Sequence, residues 1–315
     1  MSAGRINERN EKEKDMNNKE RYKGIIPPLV TPLNADETLD EQALRRLIRF
    51  CINGGVSGVF VGGTSGEAMR VSDSVWEAAA RTALDEAAGQ VDVFCGAIDS
   101  STGRSIEKIK KIEAMGGKLA VCTPTFYIKN FGQDEILRHY EKICRESEIE
   151  IAVYNIPNTT HVNILPQTIA RLADNEKIVV YKDSCADWQQ LQETIILLED
   201  RDISVFNGAE ELCFVSLMCG AQGCIPGLAN FFPELFADQF KACREGRAED
   251  AYGLQKKINR VRKCLGKGPS WVTVMKYLLE LYGLGQPYVS SPLAPMNGEQ
   301  KEMVQQVLKD QTLLP

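Results

Sequence analysis

The chain has 315 residues, 43% of them apolar and 25% charged, with a formal net charge of −6. That make-up suits a globular protein large enough for one barrel or two ordinary domains, and it lacks the basic excess that binding to nucleic acid needs. Ten cysteines without a C-x-x-C pair suggest reduced core thiols, and two histidines, His139 and His161, are too few for a zinc site built on several imidazoles.

Residues 1 to about 22 are rich in Glu, Lys, Arg and Asn and nearly devoid of apolar side chains, so a disordered tail is expected there. No signal-peptide pattern and no apolar run of roughly 20 residues occurs, which predicts a cytoplasmic protein with no membrane partner. From Gly24 onward short apolar runs alternate with amphipathic stretches. Strands are predicted at Ile25–Val30, Gly58–Val61, Val91–Gly96, Leu119–Cys122, Ile149–Asn155, Ile178–Lys182, Ile203–Phe206 and Gly223–Ile225. Helical periodicity fills the intervals, from Glu41–Ile52 through Glu210–Cys219 to Pro233–Glu245. Eight alternating units predict an α/β fold, the (β/α)8 TIM barrel, with its core over 23–232. Residues 233–315 then hold the eighth barrel helix and a helical extension, with patterns at Ala248–Leu265, Trp271–Tyr282 and Gly298–Leu308.

In such a barrel the chemistry sits at the C-terminal ends of the strands. Lys182 closes the run Ile178-Val179-Val180, and strict alternation places it on the inward face with Ile178 and Val180. Burial there lowers a lysine pKa and frees an amine to attack a ketone, although the position alone also fits a structural ion pair or a lysine snorkelling to solvent. Tyr154, ending the preceding strand, fits either a proton shuttle or a core tyrosine with a bonded hydroxyl. Thr64 and Ser65 lie in a glycine-flanked turn able to present N–H and O–H groups to a carboxylate.

Four motifs, Gly63-Thr64-Ser65-Gly66-Glu67, Tyr154-Asn155-Ile156-Pro157, Lys182-Asp183-Ser184 and Gly220-x-x-Gly223-x-Ile225, occur in this order on these strands. Together they resemble the dihydrodipicolinate synthase/N-acetylneuraminate lyase family of class I aldolases, over about residues 23 to 310. The resemblance implies that Lys182 forms an imine with pyruvate or another 2-oxo acid. Thr64 and Ser65, with Gly63 in the same turn, would hold its carboxylate, and Ile225 would line the site. Tyr154 and Thr64 would pass protons, completed by an aromatic from a neighbouring subunit. Tyr127 is the candidate for that aromatic, while direct counting from Pro124 puts Phe126 at the relay position. The resemblance further implies a homotetramer of two tight dimers, an aldehyde as second substrate, and no metal or organic cofactor beyond the covalent imine.

The branches of the family differ at a few positions. Thr159 stands where the synthases place an arginine for the second substrate's carboxylate, and a neutral threonine cannot make that bidentate pair. Glu210, Glu211 and Ser184 match positions that bind the polyhydroxylated chain in the sialic-acid lyases, though Gly227 replaces a serine and the glutamates also suit a helix N-terminus. A 2-keto-3-deoxy sugar acid or a sialic-acid-like substrate is therefore the first reading. Alternatives are 4-hydroxy-tetrahydrodipicolinate synthase and, from another class, a non-catalytic 2-oxo-acid-binding or regulatory barrel. His161, in the mouth loop, is a candidate contact for the variable end of the substrate, whereas His139 sits within a helical stretch.

Overall fold

The computed structural model describes residues 16–128 and 132–315. Its strands are β1 (Gly24–Ile25), β2 (Gly58–Val61), β3 (Asp92–Gly96), β4 (Leu119–Cys122), β5 (Glu150–Asn155), β6 (Ile178–Asp183), β7 (Ser204–Asn207) and β8 (Gly223–Cys224). All pair in parallel in the order β1-β8-β7-β6-β5-β4-β3-β2. The remaining seam, between β1 and β2, closes through a parallel bridge of Pro28 with Phe60, where Phe60 N–H donates to Pro27 O at 3.0 Å and Leu29 N–H to Phe60 O at 2.8 Å. The result is the (β/α)8 barrel.

The helices are α1 (Asn18–Arg21), α2 (Glu41–Asn53), α3 (Asp73–Ala87), α4 (Thr102–Ala114), α5 (Gln133–Glu146), α6 (Pro157–Thr160), α7 (Pro166–Leu172) and α8 (Trp188–Leu197). They continue with α9 (Cys213–Met218), α10 (Pro233–Arg244), α11 (Ala248–Arg262), α12 (Trp271–Leu281) and α13 (Gly298–Asp310). Side-chain caps set several starts: Asp40 accepts from Ala43 N–H, Ser72 from Val75 N–H and Asp187 from Gln190 N–H. Two apolar layers follow. Leu44, Leu47, Ile109, Ile143 and Ile169 pack between helices and sheet, while Phe60, Phe94, Val121, Val180 and Phe206 fill the barrel interior. The interior is packed side chain against side chain rather than open.

Four expectations need correction. The first strand ends at Ile25 instead of Val30, because Pro27 and Pro28 have no N–H to donate to a ladder. The seventh helical pattern begins as a 3-10 turn, Glu210–Leu212, before α9. The alternation that paired Lys182 with Ile178 fails, since the register shifts from Ile151–Ile178 to Ala152–Val180 and a bulge intervenes at Val179. Val180 does face inward with Lys182, but Ile178 packs in the outer layer.

The last correction concerns the tail, of which residues 1–15 lie outside the described residues. Asn18 N–H donates to Asp202 at 2.7 Å, Lys19 Nζ donates to Leu198 O at 3.0 Å and Arg21 pairs with Glu150 at 2.6 Å. Tyr22 is buried, donates to Glu150 and stacks against Phe94 with ring centroids 5.7 Å apart. Residues 16–22 thus stopper the N-terminal end of the barrel. Hydrogen bonding, which composition does not reveal, orders them.

Candidate active site

At the opposite end the strand termini surround a cavity of about 820 Å³. Lys182 rises from β6 into its floor and is only 3% exposed. Its Nζ lies 3.9 Å from the ring centroid of Tyr154 and 5.1 Å from that of Phe60. Burial lowers the pKa of Lys182, against an opposing contribution from Tyr154. Adjacent pairing of β5 and β6 sets Tyr154 directly beside Lys182. The close approach needs Gly208, where a Cβ would fall 1.9 Å from Ser184 Oγ and 3.1 Å from Lys182 Cε.

A second wall is the turn after β2. Gly66 N–H donates to Gly63 O at 3.0 Å, Glu67 N–H to Thr64 O at 3.1 Å, and Thr31 Oγ1 to Gly66 O at 2.7 Å. Gly62 and Glu67 have φ of 67° and 57°, so the turn is tight at both ends. The fold exposes Thr64 and Ser65 to the cavity from this turn. Gly63 does not line it; a Cβ there would meet the Phe60 ring at 2.8 Å, so its part is to let the turn sit on that ring.

Thr159, on α6, and Ser184, Glu210 and Ile225 also line the cavity. Glu210 is buried, and its Oε1 accepts from Leu228 N–H at 2.8 Å. Burial pushes its pKa up to about 7. The small Gly227 leaves room there: a Cβ would stand 3.6 Å from Glu210 Oε1 and 4.0 Å from Ser65 Oγ. Behind the lysine, Asp183 accepts from Cys185 N–H at 2.8 Å, Tyr181 OH at 3.1 Å and Asn155 Nδ2 at 3.2 Å, anchoring the end of β6.

Other candidates lie elsewhere. Tyr127 is 92% exposed with φ of 83°, away from the cavity, whereas Phe126 packs against the interior cluster that includes Tyr154. His161 is exposed at the left-handed end of α6 and does not line the cavity. His139 is buried between Thr102 Oγ1 at 2.9 Å and Thr123 O at 3.1 Å, a structural setting. Sequence reasoning missed Arg262, Lys263, Lys267, Trp271 and Met275, which complete the wall from α11, the 3-10 turn Lys263–Lys267 and α12. They carry no local motif, and only the tertiary packing of the C-terminal helices brings them to the strand ends. Arg262 bridges Glu210 at 3.3 Å and Glu211 at 2.7 Å. The cavity therefore contains a guanidinium even though Thr159 is neutral. Among the described residues, no group of three or more His, Cys, Asp or Glu is placed to hold a metal ion, and no helix is long and apolar enough to cross a membrane.

A closed barrel with a desolvated lysine, a neighbouring phenol and a hydroxyl-bearing turn at its C-terminal mouth defines a site able to form an imine and move protons beside it. The Dihydrodipicolinate synthetase family model matches residues 21–311, and the chain belongs to that family. It is thus a lyase of the aldolase type, and members of the family form a Schiff base with pyruvate. The chain is 31% identical over 296 residues to 4-hydroxy-tetrahydrodipicolinate synthase of Thermotoga neapolitana, covering 93% of this chain and all of the relative. It is 30% identical over 299 residues to the Escherichia coli K12 protein named "Probable 2-dehydro-3-deoxy-D-pentonate aldolase YjhH", covering 94% and 99%. The crystal structure of YagE from E. coli K12 in complex with pyruvate superposes with a TM-score of 0.89 at 26% identity, covering 93% and 99%.

Proposed function

We propose that the protein cleaves or forms a carbon–carbon bond next to an imine between Lys182 and pyruvate, with a 2-keto-3-deoxy sugar acid as its substrate. The observation that carries this is the burial of Lys182 beside Tyr154, because a neutral amine is required to attack the ketone. The imine nitrogen serves as electron sink, so the reaction needs no metal or organic cofactor. Thr64 and Ser65 hold the carboxylate, and Tyr154 carries the proton to and from the substrate oxygen. Ser184, Glu210 and Thr159 face the hydroxylated chain. In this reading the assembly is a homotetramer, and the outward Tyr127 reaches a neighbouring copy; its exposure together with that of Ile128 motivates the contact.

A second reading, 4-hydroxy-tetrahydrodipicolinate synthase, draws on the relatives that have this name and on Arg262, which supplies the guanidinium missing at Thr159. Borohydride reduction with pyruvate tests what both share. One pyruvyl group should attach at Lys182 and none in Lys182→Ala, and labelling of a different lysine defeats both readings. Tyr154→Phe should slow turnover by roughly a hundredfold or more, as loss of a positioned general acid/base does. Pyruvate release from 2-keto-3-deoxy acids, set against condensation of pyruvate with aspartate semialdehyde, then separates the two. No turnover across such a panel would instead favour a binding or regulatory barrel.

A further inference from the structure

The cavity is far larger than pyruvate, and its charges are unequal. Four cationic side chains line it, Lys182, Arg262, Lys263 and Lys267, against the single carboxylate of Glu210. Lys182 is held toward its neutral form by burial, and Arg262 is taken up by Glu210 and Glu211. Lys263 and Lys267 are different. Neither side chain has an ion-pair or hydrogen-bond partner among the described residues, and both face the cavity. Both lie on the 3-10 turn Lys263–Lys267, on the wall contributed by the C-terminal helices, whereas the carboxylate-binding turn of Thr64 and Ser65 follows β2. Two unneutralised ammonium groups at the rim of a partly enclosed cavity set up a positive potential that a neutral substrate tail would leave unused.

We propose that the end of the substrate remote from the 2-oxo acid bears a second anionic group, a carboxylate or a phosphate, bound by Lys263 and Lys267 with Arg262 behind them. This rests on the reading that the 2-oxo acid is held at Lys182. Arg262 contributes less to affinity than its charge suggests, because Glu210 and Glu211 already occupy it. The two lysines provide the discrimination. They are flexible point charges, suited to gripping an oxyanion without fixing its geometry, so both carboxylate and phosphate fall within the class.

The experiment uses two six-carbon 2-oxo acids that differ only at the far end, 2-oxoadipate and 2-oxohexanoate, and reads the concentration of each that half-saturates borohydride trapping on the full-length protein. The dianion should half-saturate at a concentration about tenfold lower at low ionic strength, and the advantage should shrink at about 0.2 M salt. The Lys263→Met/Lys267→Met double variant should lose most of that ratio. Comparing 2-keto-3-deoxyglucarate, which ends in a carboxylate, with 2-keto-3-deoxygluconate 6-phosphate by pyruvate release then assigns phosphate or carboxylate as the better terminal group. Pyruvate trapping tests the parent reading separately, and its failure at Lys182 would remove both. Successful pyruvate trapping with no preference for 2-oxoadipate, or with neither six-carbon acid trapped, would overturn this inference alone. A preference that persists unchanged in the double variant would overturn the assignment to these lysines.

Discussion

Lys276 Nζ lies 2.9 Å from Glu67 Oε1, and both side chains are completely shielded from solvent although 209 positions separate them. The lysine also donates to Thr31 O at 2.5 Å and Tyr288 O at 2.9 Å, and the other Glu67 oxygen accepts from Ser290 Oγ at 2.5 Å. Helix α12 is thereby tied to the turn that presents Thr64 and Ser65. Removing one member of a buried pair strands the other charge, so Lys276→Met should cost about 3–5 kcal/mol in chemical denaturation. At temperatures where the variant remains folded, its half-saturating pyruvate concentration should rise more than its limiting trapping rate falls. An unchanged pyruvate dependence would mean that the pair stabilises the fold without shaping the turn.

The buried imidazole of His139 gives a pH prediction. Burial lowers its pKa from 6.5 to about 4, so the unfolded chain takes up the proton first as pH falls. Its stabilising contribution is fully present above about pH 6.5 and is lost toward pH 4, amounting to about 3 kcal/mol. Glu210, with its pKa raised to about 7, acts in the opposite direction over the same range, so the test is a difference. The stability gap between wild type and His139→Asn should narrow as pH drops from 7 to 4, measured by urea unfolding at each pH. A constant gap would contradict the assignment.

Two glycines on the cavity wall should respond differently. Gly208→Ala forces a methyl group onto Ser184 and the Lys182 side chain, and overpacking strain of that kind should slow pyruvate trapping by about tenfold or more. Gly227→Ala meets only ordinary contact distances and should leave folding intact while narrowing the space beside Glu210. Thermal melts and trapping rates of both variants check this, and equal behaviour would refute it.

Thr159 offers a test of the family branches. Thr159→Arg introduces a guanidinium on the cavity wall, and a charge-assisted pair there should raise the preference for aspartate semialdehyde by roughly tenfold or more. Condensation with pyruvate at matched aldehyde concentrations measures it. No shift would locate carboxylate recognition elsewhere on the wall, with Arg262 as the nearest alternative.

The barrel was legible because eight short apolar runs alternated with helical ones, and a strand buried on both faces reads as such a continuous apolar run. What was lost depended on single residues or on distant partners. Pro27 and Pro28 shorten β1 without altering its apolar character, and the bulge at Val179 breaks alternation inside a run that reads as uniformly β-branched. Lys182, Tyr154, Thr64 and Ser65 could be placed from strand ends alone. Lys263, Lys267 and Trp271 could not, since their approach to the cavity follows from how α11 and α12 pack, and no spacing in the chain encodes that. Tyr22 was concealed for a related reason: one aromatic in a charged segment has no period to betray it.

With Tyr22 seated against Phe94 and the phenylalanines filling the middle of the barrel, the chamber has, among the described residues, its door at the C-terminal end of the strands. Whatever binds at Lys182 occupies the floor, and anything that reacts with it must stand between it and solvent. Molecules can then leave only in the reverse of the order in which they were stacked. If Lys182 holds pyruvate as proposed, such a one-ended shaft has the aldehyde exit ahead of pyruvate in cleavage and enter after it in synthesis, a sequence imposed by architecture before any difference in affinity is considered.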